Sequence, residues 1–68
     1  PADVDPAVLE RVVGAAFGQR RKMLRSSLAA LAPDVEAMLA RADVAATARA
    51  EELDVEAFCR IGRALSNA

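Results

Sequence analysis

Alanine dominates the apolar part of this sequence and limits what the chain can fold into. Hydrophobic residues make up 54% of the 68 residues, and alanine supplies 17 of them, which leaves 20 larger apolar side chains for a core. Alanine is the best helix former, whereas strands favour β-branched and aromatic residues. The chain has one isoleucine, two phenylalanines and neither tryptophan nor tyrosine. We therefore predict an all-α fold: one small domain over residues 1–68, a compact bundle of about four short helices.

The composition also excludes several kinds of chemistry. Histidine is absent, and histidine is the commonest general base and the commonest metal ligand. The single cysteine, Cys59, forms neither an internal disulfide nor a zinc site, and we expect it to be a buried thiol. No apolar run approaches the roughly 20 residues of a membrane span, and no signal-peptide pattern is present. We expect a cytoplasmic chain that binds no metal and is not a self-sufficient enzyme. Its start at Pro1 suits a processed product or an excised piece.

Capping residues and apolar periodicity predict a first helix over residues 6–18. Asp5 is a good N-cap, proline is tolerated at the first helical position, and Gly18 suits the C-terminal end. A second helix is predicted over residues 19–31, where leucines recur with helical spacing. The apolar positions predicted to face the core from these two helices are Val8, Leu9, Val12, Val13, Ala16, Phe17, Leu24, Leu28 and Leu31.

Two further helices, separated by an irregular segment, are predicted in the second half of the chain. Pro33 ends the second helix and can start the third. Residues 43–53 are expected to be irregular, with a short helical turn in their second half. Asp54 is another good N-cap and starts the last helix, on whose outer face we expect an i,i+4 ion pair. The pair is Glu56 with Arg60, and the positions predicted to face the core are Val35, Met38, Leu39, Val55, Phe58, Cys59, Gly62 and Leu65.

The two phenylalanines, Phe17 and Phe58, are the sole aromatic residues of the chain. Both fall on apolar stripes, so we predict that both are core anchors. Stacking on nucleic-acid bases is the alternative. As core anchors, either one would cost about 3–5 kcal/mol of stability when truncated to alanine.

A cluster of basic residues stands directly after the first helix. Residues 11–33 carry five bases and no acid, although the net charge of the chain is −1. Guanidinium groups bind phosphate bidentately and local potential governs docking, so the cluster favours a polyanion partner over a merely solvated face. At the start of a second helix these cations would also be disfavoured by the helix dipole. The candidate phosphate-binding residues are Gln19, Arg20, Arg21, Lys22 and Arg25.

Two sequence blocks, in this order and at this spacing, resemble those of a known family. Residues 16–28 read AFGQRRKMLRSSL, and residues 48–58 read ARAEELDVEAF. They are similar to the A-F-x-Q-R-R-K-x-L-R-N-x-L and R-A-E-x-L-[ST]-x-x-x-[FY] blocks in the C-terminal domain of small-subunit ribosomal RNA adenine dimethyltransferases. The resemblance covers roughly residues 12–65. The positions that depart from the family pattern lie outside the basic cluster: Ser26, Asp43, Ala45, Ala46 and Asp54.

The resemblance implies that the chain is one part of a larger enzyme. Family members transfer methyl groups from S-adenosylmethionine to N6 of two neighbouring adenosines in small-subunit rRNA. A Rossmann-like N-terminal domain does this work with a Gly-rich loop and an Asn-x-Pro-aromatic motif, and neither is present here. The chain therefore resembles the C-terminal helical domain alone, with no cofactor and no catalytic residue of its own. The implied partners are the phosphates of small-subunit rRNA and the missing catalytic domain.

Two other functions also fit these residues. The chain is alternatively a helical cap that binds protein, or a free-standing helix-turn-helix that binds nucleic acid, since Gly18 stands between two predicted helices. The cluster has no base-reading Asn or Gln beyond Gln19, which favours contact with the nucleic-acid backbone over reading of base sequence.

Overall fold

Four α-helices and two single 3₁₀ turns follow one another along the chain. The computed structural model describes residues 4–66, so the two ends of the predicted domain, residues 1–3 and 67–68, lie outside the described residues. The helices are α1 (Pro6–Gly18), α2 (Leu24–Ser27), α3 (Val35–Arg41) and α4 (Val55–Ser66), and the 3₁₀ turns are Ala29–Leu31 and Ala50–Glu52. The predicted all-α class is confirmed, as is the short helical turn within the irregular segment.

Aspartates cap the three longer helices. The Asp5 carboxylate accepts a hydrogen bond from the backbone N–H of Ala7 at 2.9 Å, and that of Asp54 accepts one from Ala57 at 2.8 Å. Both predicted N-caps are thereby confirmed. The third helix begins at Val35, after its cap Asp34, and not at Pro33. Each cap satisfies one of the backbone donors that have no partner inside the helix.

The predicted second helix over residues 19–31 is wrong as a continuous element. Residues 19–22 form a turn, Met23 is extended, and the helical backbone that follows is split into α2 and the 3₁₀ turn Ala29–Leu31. The N–H groups of Leu24 and Arg25 donate to the carbonyls of Ala48 and Ala46, at 2.8 and 3.1 Å. Pairing with the irregular segment therefore takes the place of a helical start before Leu24.

Helices α1 and α4 pack antiparallel and form the main contact of the fold. Phe17 near the end of α1 lies against Phe58 near the start of α4, with ring centroids 5.7 Å apart. At the other end of the pair, Val4 and Val8 lie against Gly62. Helix α3 packs on α4, and α2 packs on α1. The largest fully buried side chains come from all four helices: Val12, Leu24, Leu28, Met38, Leu39 and Ile61.

The face that α4 buries differs from the predicted one. Phe58 and Gly62 are buried as predicted, but Val55 is 76% exposed, and Cys59 and Leu65 are only partly buried. The buried face of α4 is therefore turned around the helix axis relative to the predicted face, and it includes alanines, which are small enough for a close helix–helix contact. The remaining buried residues of α4 are Ala57, Ile61 and Ala64.

In the first half of the chain, the predicted core positions differ in how far they are buried. The buried ones are Val12, Ala16, Leu24 and Leu28, and the partly buried ones are Val8, Leu9, Val13 and Leu31. Phe17 is the exception and is exposed. In α3, Met38 and Leu39 are buried and Val35 is partly buried, as the periodicity predicts.

Candidate nucleic-acid interface

The basic cluster lies on a turn at the end of α1. The N–H of Lys22 donates to the carbonyl of Gln19 at 2.9 Å and closes this turn, residues 19–22, which we name the cationic turn. Four of the five predicted site residues belong to it, and all five are exposed to solvent. The turn lines one shallow depression together with Phe17 and Gly18. Arg25 lies further along, on α2.

The electrostatic setting of the cationic turn differs from the predicted one. Its cations follow the C-terminal end of the 13-residue helix α1 and precede the four-residue α2. The C-terminal end of a helix carries partial negative charge and favours cations, so the predicted dipole penalty is wrong. Among residues 4–66, the ion pair within 4.0 Å joins Arg60 to Glu56 and does not involve the turn. No carboxylate of the described residues therefore lies close enough to compensate the charges of Arg20, Arg21 and Lys22.

A long-range backbone pairing holds the cationic turn in place. Met23 forms an antiparallel bridge with Arg49, beside the hydrogen bonds that Leu24 and Arg25 donate to the same segment. The bridge places the backbone of Arg49, whose side chain is exposed, next to the turn. Residue periodicity does not reveal Arg49 as a neighbour of the cluster, because a single bridge between distant residues has no repeating pattern. Arg49 was not among the predicted site residues, and its place in the second resembling block is the sequence signal that could have drawn attention to it.

Phe17 is not the core anchor that the apolar stripe predicts. The residue is 47% exposed, whereas Phe58 is 6% exposed. The two rings lie 5.7 Å apart at an interplanar angle of 35°, so Phe58 covers one part of the Phe17 ring and the rest borders the depression at the cationic turn. The structure therefore brings an exposed aromatic ring together with the predicted phosphate-binding residues.

A second group of arginines was missed by the sequence analysis. Arg41, Arg60 and Arg63 line one depression between α3 and α4, together with Ala64. Arg60 Nε donates to the carbonyl of Ala42 at 2.8 Å, and Arg41 Nη2 donates to that of Ala64 at 3.4 Å. These guanidinium groups thus satisfy carbonyls at the C-terminal ends of the two helices. The outward Glu56–Arg60 pair is confirmed at 3.6 Å, but the bond to Ala42 was not foreseen.

The dimensions of α2 argue against the helix-turn-helix alternative. A recognition helix must lie along the major groove, and four residues of α-helix extend about 6 Å. Within residues 4–66, no three cysteine or carboxylate side chains converge as a metal site requires. None of the helices in that same range is long and apolar enough to cross a membrane.

Fold and surface together define a small all-α domain with an exposed, uncompensated cationic turn. No protein-family model matches the chain. It is similar to proteins named ribosomal RNA small subunit methyltransferase A, with 59% identity over 64 residues in Paracoccus denitrificans and 61% over 59 residues in Cereibacter sphaeroides. The identity to the protein of that name from Ruegeria pomeroyi is 53% over 62 residues.

These alignments cover nearly the whole chain but a small part of each relative. They include 94%, 87% and 91% of this chain, and 23%, 21% and 22% of the three relatives. The matched region is the C-terminal part of those proteins. The chain is therefore homologous to the C-terminal part of the small-subunit ribosomal RNA methyltransferase A family, and the resemblance of the two sequence blocks is confirmed.

Proposed function

We propose that this chain is the RNA-docking domain of a ribosomal RNA adenine dimethyltransferase. The cationic turn and Arg25 bind the phosphates of small-subunit rRNA and hold the enzyme on its substrate. The observation that carries the proposal is the exposed group of three adjacent cations, which pair with no carboxylate within residues 4–66, in a chain homologous to part of an rRNA methyltransferase.

The chemistry of phosphate binding suits these residues. Arginine forks donate two parallel hydrogen bonds to phosphate, and each neutralised phosphate releases counterions from the RNA. The turn needs no refolding to present its charges, since the bridge between Met23 and Arg49 and the end of α1 fix both of its sides. The partial negative charge at the C-terminal end of α1 also lowers the electrostatic cost of holding three cations close together in the absence of RNA.

The remaining steps of the reaction belong to the part of the protein outside this chain. The relatives are more than four times as long as the region they share with it, since that region is 21–23% of their length. We propose that a catalytic domain in that part binds S-adenosylmethionine and methylates N6 of two adjacent adenosines. This chain, as a single domain over residues 1–68, would contribute binding of the small-subunit rRNA and packing against the catalytic domain.

The test is the salt dependence of binding to small ribosomal subunits. The wild-type chain is compared with a variant that carries Arg21→Ala, Lys22→Ala and Arg25→Ala, whose side chains are exposed. Each lost phosphate contact lowers the slope of log affinity against log salt by roughly 0.7–0.9, so the triple variant should bind more weakly, with a slope reduced by about 2 to 3. Circular dichroism should show unchanged helix content.

A matched single substitution separates local contact from overall charge. Arg11 is an exposed arginine on α1, about two turns before the cationic turn. Arg11→Ala should change affinity and slope much less than Arg21→Ala, although both remove one charge. Equal affinities and slopes for wild type and triple variant would contradict the proposal and leave the cluster as a solvated face.

A further inference from the structure

We propose that Phe17 is a stacking platform for an unpaired base of the RNA that the cationic turn binds. The inference rests on the proposed function, and it adds a substrate class: RNA that is single-stranded, or has a base turned out of its helix, at this point. The ring and the cations line the same depression. A nucleotide seated there would place its base on the ring and its phosphate on the guanidinium groups.

The ring of Phe17 is held in position before any ligand binds. Phe58, buried in the core, lies against it with centroids 5.7 Å apart, and almost half of the Phe17 side chain remains exposed. An aromatic ring supported in this way loses little conformational freedom when a second ring stacks on its open part. Base–aromatic stacking tolerates any base because every base has a π-face.

The helix surface beside the ring is bare. Gly14 lies one turn before Phe17 on the same face of α1, and Gly18 directly follows Phe17 at the end of the helix. Apart from chain neighbours and the backbone of α1 itself, a Cβ at either glycine would meet no heavy atom of the described residues within 4 Å. Packing among the described residues therefore requires neither glycine, although Gly14 lies inside the helix, where glycine is less favourable than alanine. Without side chains there, a flat group can approach both the ring and the helix backbone.

The positive charges around the Phe17 ring indicate which kind of ligand this surface binds. Arg20, Arg21 and Lys22 border the ring, and a covering protein surface would have to desolvate these cations or supply carboxylates to them. A nucleotide supplies the anion and the planar apolar group in one ligand. A base inside an A-form duplex is stacked on its neighbours, so the ligand that fits is an unpaired nucleotide. A positively charged surface with a stacking ring is the general arrangement for binding single strands.

The experiment compares two RNA probes that differ only in their bases. One is a short single-stranded oligonucleotide, and the other has the same length and phosphates but abasic riboses at its central positions. The wild-type chain should bind the intact probe about tenfold more tightly, because only that probe has bases that can stack on the ring. Phe17→Leu keeps an apolar contact with Phe58, so it should remain folded by circular dichroism and lose most of this preference. Val55→Ala, at the other large exposed apolar residue, should keep it.

A spectroscopic arm reports on the ring itself. The chain has no tryptophan, so Phe17→Trp introduces a unique fluorophore at the proposed platform. Its emission should be quenched by the intact probe and much less by the abasic probe at equal occupancy. Equal quenching by both probes would contradict the inference.

The outcomes separate this inference from the proposed function. Salt-dependent binding without a preference for the intact probe, or a Phe17→Leu variant that keeps the preference, would overturn the platform alone. Phe17 would then be assigned to contact with the remainder of a longer protein. Loss of salt-dependent binding altogether would overturn the proposed function, and the inference with it.

Discussion

Gly62 on α4 lies directly against the side chain of Val4, so that a Cβ at position 62 would be 2.5 Å from Val4 Cγ2 and 4.0 Å from Val8 Cγ1. This contact closes the antiparallel pair of α1 and α4 at the end opposite the two phenylalanines. It explains a buried glycine in the middle of a helix, where alanine would otherwise be favoured.

The first prediction contrasts two glycine-to-alanine substitutions. Gly62→Ala should destabilise the chain by about 1–2 kcal/mol, because the overlap with the short, stiff valine side chain outweighs the gain in helix propensity. Gly14→Ala should instead stabilise it by about 0.5–1 kcal/mol, since its Cβ would enter open space. Urea denaturation followed by circular dichroism measures both free energies of unfolding. Stabilisation by Gly62→Ala would show that the two helices are not in close contact here.

The second prediction concerns the unequal phenylalanines. Phe58→Ala should cost about 3–4 kcal/mol of stability, because it removes a side chain that is only 6% exposed and leaves a cavity in the core. Phe17→Ala should cost only about 1 kcal/mol, since half of that ring is already in water. The first variant should be largely unfolded at moderate temperature and the second folded, as thermal melts will show. Equal losses of stability in the two variants would show that Phe17 is a core residue like Phe58.

The exposure of Phe17 shows where sequence periodicity stops being informative. The stripe on α1 correctly places Val12 and Ala16 in the core. Phe17 continues the same stripe, but it lies in the last turn of the helix, where Phe58 covers only part of its ring. Periodicity identifies the face of a helix, and the length of the neighbouring element decides how far along that face burial extends.

The broken second helix has a different physical cause. Leucine spacing after residue 23 favours a helix, and the backbone is helical at α2. What ends the helix on its N-terminal side is the bridge of Met23 to Arg49, a pairing between residues far apart in the chain. Local propensity carries no information about such a partner. The cluster itself could nevertheless be identified from the sequence, and all five candidate site residues are exposed, as is usual for polar side chains and uncompensated charges.

The third prediction separates two roles of Arg60. Its Nε bond to the carbonyl of Ala42 joins α4 to the end of α3, whereas its ion pair with Glu56 lies at the surface, where the Glu56 side chain is 75% exposed. Arg60→Ala should cost about 1–2 kcal/mol, because it removes a charge-assisted hydrogen bond in a partly buried site. Glu56→Ala should cost at most about 0.5 kcal/mol. If both variants lose the same stability, and if this loss disappears in high salt, then Arg60 stabilises the fold through its ion pair with Glu56. The hydrogen bond to the Ala42 carbonyl would then contribute little.

The fourth prediction follows from Ser27, whose hydroxyl is buried and has no hydrogen-bond partner among the described residues. The side chain is 7% exposed and lies at the C-terminal end of α2, between the fully buried Leu24 and Leu28 in sequence. An unpaired buried hydroxyl costs about 1–3 kcal/mol of desolvation, so Ser27→Ala should raise the free energy of unfolding by up to about 1 kcal/mol. Alanine also leaves the backbone bond from the N–H of residue 27 to the Met23 carbonyl intact.

Ser26→Ala, at an exposed neighbour, is the control and should change stability by less than about 0.5 kcal/mol. A clear loss of stability in Ser27→Ala alone, measured by urea denaturation, would mean that the hydroxyl has a partner in solution.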